Sequence, residues 1–296
     1  MIGSYVRTDP STGMTYAEFL SHNTVRINVE MNNGENGTGT GFLYQFESTN
    51  GSILGALVTN KHVLENSQSA TLVFNPTGKD DKIDFNSQKL VANIPEFSSY
   101  WFKHPNPDID IAFINLAPII IKLAEEKSPF MTFFRRQNFP KQEEWNELTA
   151  LEQIVIVGYP SGIWDPVNNL PVLRTGVTAS HPKIDYRGRP EFLIDAAVYQ
   201  GSSGSPVFLY ESKDVFLGRE LNMGKDKPRL AGILSDVFAY EEHGEMKSMP
   251  IPTIEKKIPI TRIPNNLGIV IKSTQLDGFI PLIDKKLEEQ KLKKHD

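Results

Sequence analysis

The sequence contains no cysteine. That excludes disulfide staples, and because secreted proteins usually carry them, it favours a reducing compartment. There is no apolar run of transmembrane length, and the opening Met1-Ile2-Gly3-Ser4-Tyr5-Val6-Arg7 holds no signal-peptide apolar core. On these grounds the chain reads as cytoplasmic, without a membrane partner. Positive charge is not in excess: 31 Lys and Arg stand against 36 Asp and Glu, a formal net charge of −5, so no basic field invites nucleic acid. No repeat of 20–50 residues and no low-complexity tract interrupts the chain. What remains is ordinary for a globular protein, 296 residues with 39% hydrophobic and 23% charged side chains, enough for one large domain or two small ones.

The dominant pattern is β. Val25, Ile27 and Val29 alternate with Arg26, Asn28 and Glu30, the signature of a half-buried strand. Phe42, Tyr44 and Phe46 alternate in the same way, and further short apolar runs occur at Ile53 to Val58, Gln68 to Phe74 and Ile111 to Ile114. A second series follows at Gln153 to Val157, Thr175 to Ala179, Phe192 to Ile194, Val207 to Tyr210, Leu230 to Ser235 and Gly268 to Ile271. Short strands at close spacing with turn residues between them predict an all-β barrel or sandwich. The irregular stretch from about Ile119 to Leu148, with a possible helix at Ile121 to Lys127, marks the boundary between two halves. Gly37-Thr38-Gly39-Thr40-Gly41 precedes a strand rather than a helix, which argues against a phosphate loop and predicts a turn or bulge.

One stretch carries chemistry. Gly201-Ser202-Ser203-Gly204-Ser205-Pro206 sets a serine in a glycine-rich turn. Such a turn can aim two backbone N–H groups at one point beside the hydroxyl, as an acyl-transfer oxyanion requires. Serine needs a base to take its proton, and the base needs an orienting partner. Upstream stand His62, in Val58-Thr59-Asn60-Lys61-His62-Val63, and Asp110, which opens Asp110-Ile111-Ala112-Phe113-Ile114. Asp108 competes with Asp110 for the acidic role. Taken alone, His62 also fits a packed histidine at a strand end. The pattern fails the nucleophile elbow of α/β-hydrolases, which wants glycine last, and Ser180-His181-Pro182-Lys183 fits a serine–lysine motif by spacing only.

The order His, Asp, Ser resembles that of chymotrypsin-type proteases. Together with Gly39-Thr40-Gly41-Phe42, Gly158-Tyr159-Pro160 and Asp195-Ala196-Ala197 it makes the chain similar to trypsin-like serine peptidases, and within them to bacterial HtrA-like protease domains. The likeness spans roughly residues 25–240. It implies two six-stranded antiparallel β-barrels with short helices at the termini and between the barrels. The segments would be an extension at 1–22, a first barrel at 23–125, a connection at 126–150, a second barrel at 151–272 and a C-terminal helix at 273–296. It also implies roles: Ser203 as nucleophile, His62 as base, Asp110 as its orienting acid in preference to Asp108, and the N–H groups of Gly201 and Ser203 as the oxyanion hole. Ser235 would bond the acid and lie on the strand that pairs with substrate. Ala197 would form the base of the pocket for the residue before the cut, with Asp236 and Val237 on its wall. An uncharged base and a valine on the wall predict small or medium aliphatic residues there; Asp236, turned inward, would instead admit a basic one.

The substrate so implied is a polypeptide, with no metal and no organic cofactor; a regulatory partner or an oligomer is left open. Ser202 stands where digestive enzymes carry the aspartate that pairs with a newly cut N-terminus, so activity without proteolytic maturation is expected. About fifty residues follow the last protease strands, too few for the PDZ domain that HtrA-like proteins usually carry. Two other readings are a protease-fold binding protein without turnover and a non-proteolytic esterase.

Overall fold

The structure is a computed structural model that describes residues 14–210, 229–243 and 260–292. Every sheet neighbour pair in it is antiparallel. The first half is built around β1 (Thr24–Met31), β2 (Asn36–Glu47) and β3 (Ile53–Thr59), extended by β4 (Ser67–Phe74), β5 (Leu90–Pro95), β6 (Trp101–Lys103) and β7 (Ala112–Asn115). These form a seven-stranded sheet in the order β5-β4-β1-β2-β3-β7-β6. Its seventh member is the three-residue β6, too short to show a periodicity in the sequence. The second half contains β8 (Gln153–Gly158), β9 (Val172–Thr178), β10 (Glu191–Asp195), β11 (Pro206–Leu209), β12 (Arg229–His243) and β13 (Ile260–Lys272). They close into a six-stranded barrel, β10-β13-β12-β11-β8-β9. The fold is mostly β with few short helices, as expected, but of the two six-stranded barrels expected only the second is closed; the first is a seven-stranded, half-barrel sheet, to which β5 and β6 add strands that the sequence reading did not include.

In β1 the alternation read from the sequence matches the burial it implies, whereas β2 is buried on both faces from Gly39 to Phe46, including Leu43 and Gln45. Val25, Ile27 and Val29 are all buried, and Ile27 pairs with Gly39 of β2. The glycine run is neither turn nor bulge: residues 37–41 lie inside β2 and pair in register with β1. Close packing explains the composition, since a Cβ on Gly39 would run into the Val63 side chain. Helix α1 (Tyr16–His22) precedes β1 and α2 (Lys61–Leu64) follows β3; between the halves lie α3 (Ala117–Ala124), which starts earlier than its apolar run suggests, and α4 (Gln142–Glu147). Pro118 lies in the first turn of α3, where its fixed φ suits a helix start and its missing N–H costs nothing. After β13 the chain passes through a 3-10 segment, Ser273–Phe279, into a C-terminal helix, Ile280–Leu292. Among the described residues no helix is long and apolar enough to cross a membrane.

A shared aromatic core lies between the two sheets. Phe134, from the connection between the halves, is fully buried; its ring meets Phe19 at 5.0 Å, Phe208 of β11 at 4.9 Å and Phe42 of β2 at 6.3 Å. Its backbone is also fixed, because Phe134 N–H donates to the Leu43 carbonyl and the Phe134 carbonyl accepts from Gln45 N–H. Phe134→Ala should therefore lose about 3–5 kcal/mol in equilibrium urea unfolding. Ile121→Ala, at a side chain 60% exposed on α3, should stay within about 0.5 kcal/mol of the parent. Equal losses would show that the interlayer aromatic cluster does not carry the docking.

Candidate active site

β3 ends at Thr59, and the chain turns into the single helical turn α2 (Lys61–Leu64). Asn60 at its start is fully buried, and its side-chain amide donates to the Asp110 carbonyl at 2.7 Å. This bond ties the end of β3 to the loop that precedes β7. The Asp110 carboxylate then faces His62: Oδ2 lies 2.6 Å from Nδ1, and Oδ1 accepts the His62 backbone N–H at 3.2 Å. Ser235, on β12 in the other barrel, donates its hydroxyl to Asp110 Oδ2 at 3.0 Å. Asp108 is exposed, and its contacts run through its backbone, the N–H to Asn106 and the carbonyl to Arg189. Of the two acids, only Asp110 reaches the histidine.

These contacts set the electrostatics. Burial alone would lower the His62 pKa, but the Asp110 hydrogen bond and charge, with smaller help from Asp236 and Glu65, raise it above the ordinary value. Burial would raise the Asp110 pKa; the His62 hydrogen bond and charge, the Ser235 hydroxyl and the His62 backbone N–H outweigh it and hold the carboxyl low. A proton kept on Nδ1 by the carboxylate leaves Nε2 as the acceptor on the far side of the ring. The imidazole is half-exposed, at 49%, so its outer edge is open to a ligand.

The serine loop is anchored from both barrels. Gly201 and Gly204 adopt φ of +83° and +84°, where L side chains are strained, and a Cβ on Gly204 would run into the Thr40 carbonyl. Thr40 of β2 donates its hydroxyl to the Gly201 carbonyl and its N–H to the Ser203 carbonyl, both at 2.9 Å. The Gln200 carbonyl accepts the Ser161 N–H at 2.6 Å. A trans peptide carries its N–H opposite its C=O, so this bond turns the Gly201 N–H away from Ser161. Among the described residues neither the Gly201 nor the Ser203 N–H donates a hydrogen bond. Ser202 and Ser205 are fully buried, whereas Ser203 is only partly so and directs its hydroxyl to the Ser235 carbonyl at 3.4 Å.

His62, Asp110, Ser203, Ser235, Asp236 and Val237 all line one cleft of about 350 Å³. Ala197 does not. It is exposed, and its carbonyl is held by Arg174, whereas the next residue, Val198, is buried and faces the cleft with Leu234. The one-residue difference reflects strand-like alternation at the end of β10, where Ala196 and Val198 are buried and Ala197 is not. Sequence reasoning also passed over Ser161, Arg174 and the role of Thr40, whose partners lie far away in the chain. A larger cavity, about 410 Å³ between β2, the connection and the C-terminal segment, includes the Arg136–Asp277 ion pair and Tyr44. Neither His62 nor Ser203 lines it, and the smaller cleft is the candidate site. No cluster of metal-ligating side chains occurs among the described residues.

Residues 39–216 match the family model for a trypsin-like peptidase domain, more than half of the 296-residue chain. No curated protein matches. Among solved structures, the HtrA-type protease AlgW with a tripeptide aligns at 13% identity and a TM-score of 0.46, covering 88% of this chain and 60% of that one. The chain thus spans about 60% of the length of that relative. The Rv3671c protease of M. tuberculosis aligns in an inactive form at 16% identity and a TM-score of 0.42, covering 92% of each chain. Its active form aligns at 15% identity and a TM-score of 0.41, covering 92% of this chain and 86% of that one.

The coupling between His62 and Asp110 has a sign that can be measured. A raised histidine pKa contributes stability that is present below its unfolded value and lost as pH rises through the folded one. A lowered aspartate pKa contributes stability present above its unfolded value and lost as pH falls through the folded one. The pair is therefore worth most between those two limits, in weakly acidic solution. By proton NMR the His62 ring should titrate above the ordinary histidine value. Asp110→Asn should move its midpoint below that value, because burial then acts with less opposition; an unmoved midpoint would refute the coupling.

Proposed function

The chain belongs to the trypsin-like peptidase domain family, and from that premise we propose that it is a serine endopeptidase working through Ser203, His62 and Asp110. The observation that carries this reading is their convergence in one cleft, with His62 2.6 Å from Asp110 and the Asp110 carboxylate bonded again to Ser235. Ser203 attacks the scissile carbonyl while His62 Nε2 takes the hydroxyl proton. Asp110 holds the imidazole tautomer and stabilises the imidazolium without itself being protonated. The N–H groups of Gly201 and Ser203 then receive the negative charge that builds on the carbonyl oxygen, and His62 returns the proton to the leaving amine. Water repeats the sequence on the acyl-enzyme. In the free protein the Ser203 hydroxyl donates to Ser235; substrate binding redirects it to His62, since catalytic hydrogen bonds often tighten only in the complex.

The substrate enters as a strand. β12 pairs with β11 as far as Ile233, and Leu234 exchanges backbone hydrogen bonds with Gly204 and Ser205, so from Ser235 onward its edge on the cleft side offers backbone groups to an extended peptide. The pocket beside Ser203 is walled by Val198 and Leu234, both buried, and by the half-buried Val237. Such walls favour small or medium aliphatic residues before the cut, because burying an unpaired ammonium or guanidinium there would be costly.

Ser203→Ala and His62→Ala should each lower kcat by on the order of 10⁴–10⁶, because triad members act as a unit. Asp110→Asn should be severe and Asp108→Asn mild. Labelling of the full chain by a fluorophosphonate probe should disappear in Ser203→Ala; wild-type turnover by that variant would overturn the assignment. On peptides that vary only the residue before the cut, kcat/KM should favour Ala, Val or Leu over Lys, Arg or Trp. A tenfold preference for Lys or Arg, about 1.4 kcal/mol in transition-state binding, would overturn the pocket reading and leave the triad standing.

A further inference from the structure

The charge of the cleft is one-sided. Among its described lining residues Asp110 and Asp236 are acidic, His62 is the base, and none is lysine or arginine. Most of the surrounding charge is already matched. Asp110 is occupied by His62 and Ser235. Glu65 pairs with Lys103 at 2.9 Å. Glu191 pairs with Arg189 at 3.2 Å, and the same guanidinium donates to the Asp108 carbonyl at 2.8 Å. Lys61 donates to the Pro107 carbonyl at 2.5 Å. Asp236 differs from all of these. It is exposed, its Oδ1 accepts only the N–H of the next residue, Val237, at 2.8 Å, and its Oδ2 has no partner among the described residues. The Asp236 charge is nonetheless felt around the site, adding to the forces that raise His62 and, behind burial and against Arg189, to those that raise Glu191.

We propose that Asp236 selects substrates that carry lysine or arginine at the second position before the cleaved bond. This rests on the peptidase reading. Ser203 Oγ lies 3.4 Å from the Ser235 carbonyl, so the residue whose carbonyl is attacked sits beside Ser235. A peptide running antiparallel to β12 then passes Asp236 one residue upstream, since opposed residues on antiparallel strands step together, with side chains about 5 Å apart. The aliphatic residue goes into the pocket of Val198 and Leu234, and the basic one to the carboxylate at the rim. A bound peptide also removes water from the cleft, which strengthens a charge pair that would be weak on an open surface. Of the two acids that line the cleft, Asp110 has both oxygens bonded, whereas Asp236 keeps one without a partner among the described residues, and a cationic side chain supplies what it lacks.

Binding and turnover should be measured on the full chain with paired fluorescent peptides that differ only in lysine or norleucine at that position. In the Ser203→Ala background, fluorescence anisotropy should show the lysine peptide binding about tenfold tighter, equivalent to about 1.4 kcal/mol. Adding Asp236→Asn should bring the two affinities within about twofold, and Asp236→Lys should reverse their order. Equal affinities in the Ser203→Ala chain, or a preference that survives Asp236→Asn, would overturn the proposal. The wild-type chain on the same peptides separates this inference from its premise. Cleavage of both at equal kcat/KM would keep the peptidase reading and reject the role of Asp236. An Asp236-dependent binding preference without any cleavage would keep Asp236 as a selector of cationic peptides and reject proteolysis.

Discussion

Everything at the candidate site depends on the docking of one barrel against the other, and Thr40 is where that docking is tied. It is fully buried on β2, and each of its polar groups is used. Its hydroxyl donates to the Gly201 carbonyl and accepts the Tyr159 N–H; its N–H donates to the Ser203 carbonyl; its own carbonyl accepts the Thr59 hydroxyl. A buried polar group without a partner would cost more than a hydrogen bond normally contributes. The serine loop is thus held at one place by a strand of the opposite barrel. Thr59 belongs to the same strand that leads to His62, so one short network positions Ser203 and His62 together.

Around this tie the two barrels contribute unlike things. The first half supplies the titratable pair, and the second supplies the serine turn, with the unbonded Gly201 and Ser203 N–H groups, and the edge of β12. Ser235 crosses between them, bonding Asp110 through its side chain and receiving the Ser203 hydroxyl at its carbonyl. The arrangement keeps the carboxylate ionised while partly excluding water, because its charge is met by His62, by a hydroxyl and by a backbone N–H. Ser161, itself at a positive φ of 49°, holds the Gln200 carbonyl and so fixes the face of the peptide that presents the Gly201 N–H. A loop built this way is held in one conformation by bonds from both barrels.

Much of this was legible in the sequence, for identifiable reasons. Strand alternation at Val25–Val29 and the glycine–serine turn are local patterns, and local sterics and burial decide them. The glycine run at 37–41 has the composition of a turn yet lies within β2; Gly39 answers to Val63, a residue from another element that only folding brings near. Counting back from Ser203 puts Ala197 at the base of the pocket. The actual phase of burial there is set by how β10 closes against β13, and it puts Val198 on the cleft instead. The short β6 carries too few residues to show any period.

The sequence by itself determined the residue types, their order and the β character of both halves, because backbone preferences and apolar periodicity act over a few residues. It offered two aspartates near the base and did not separate them by geometry. Tertiary structure separated them: the Asn60 side chain grips the Asp110 backbone and turns that carboxylate onto His62, while Asp108 stays in solvent. It also decided what anchors the serine turn, since Thr40 and Gly201 are 161 residues apart in sequence. Contacts at that separation follow from the packing of whole sheets, and no local pattern encodes them.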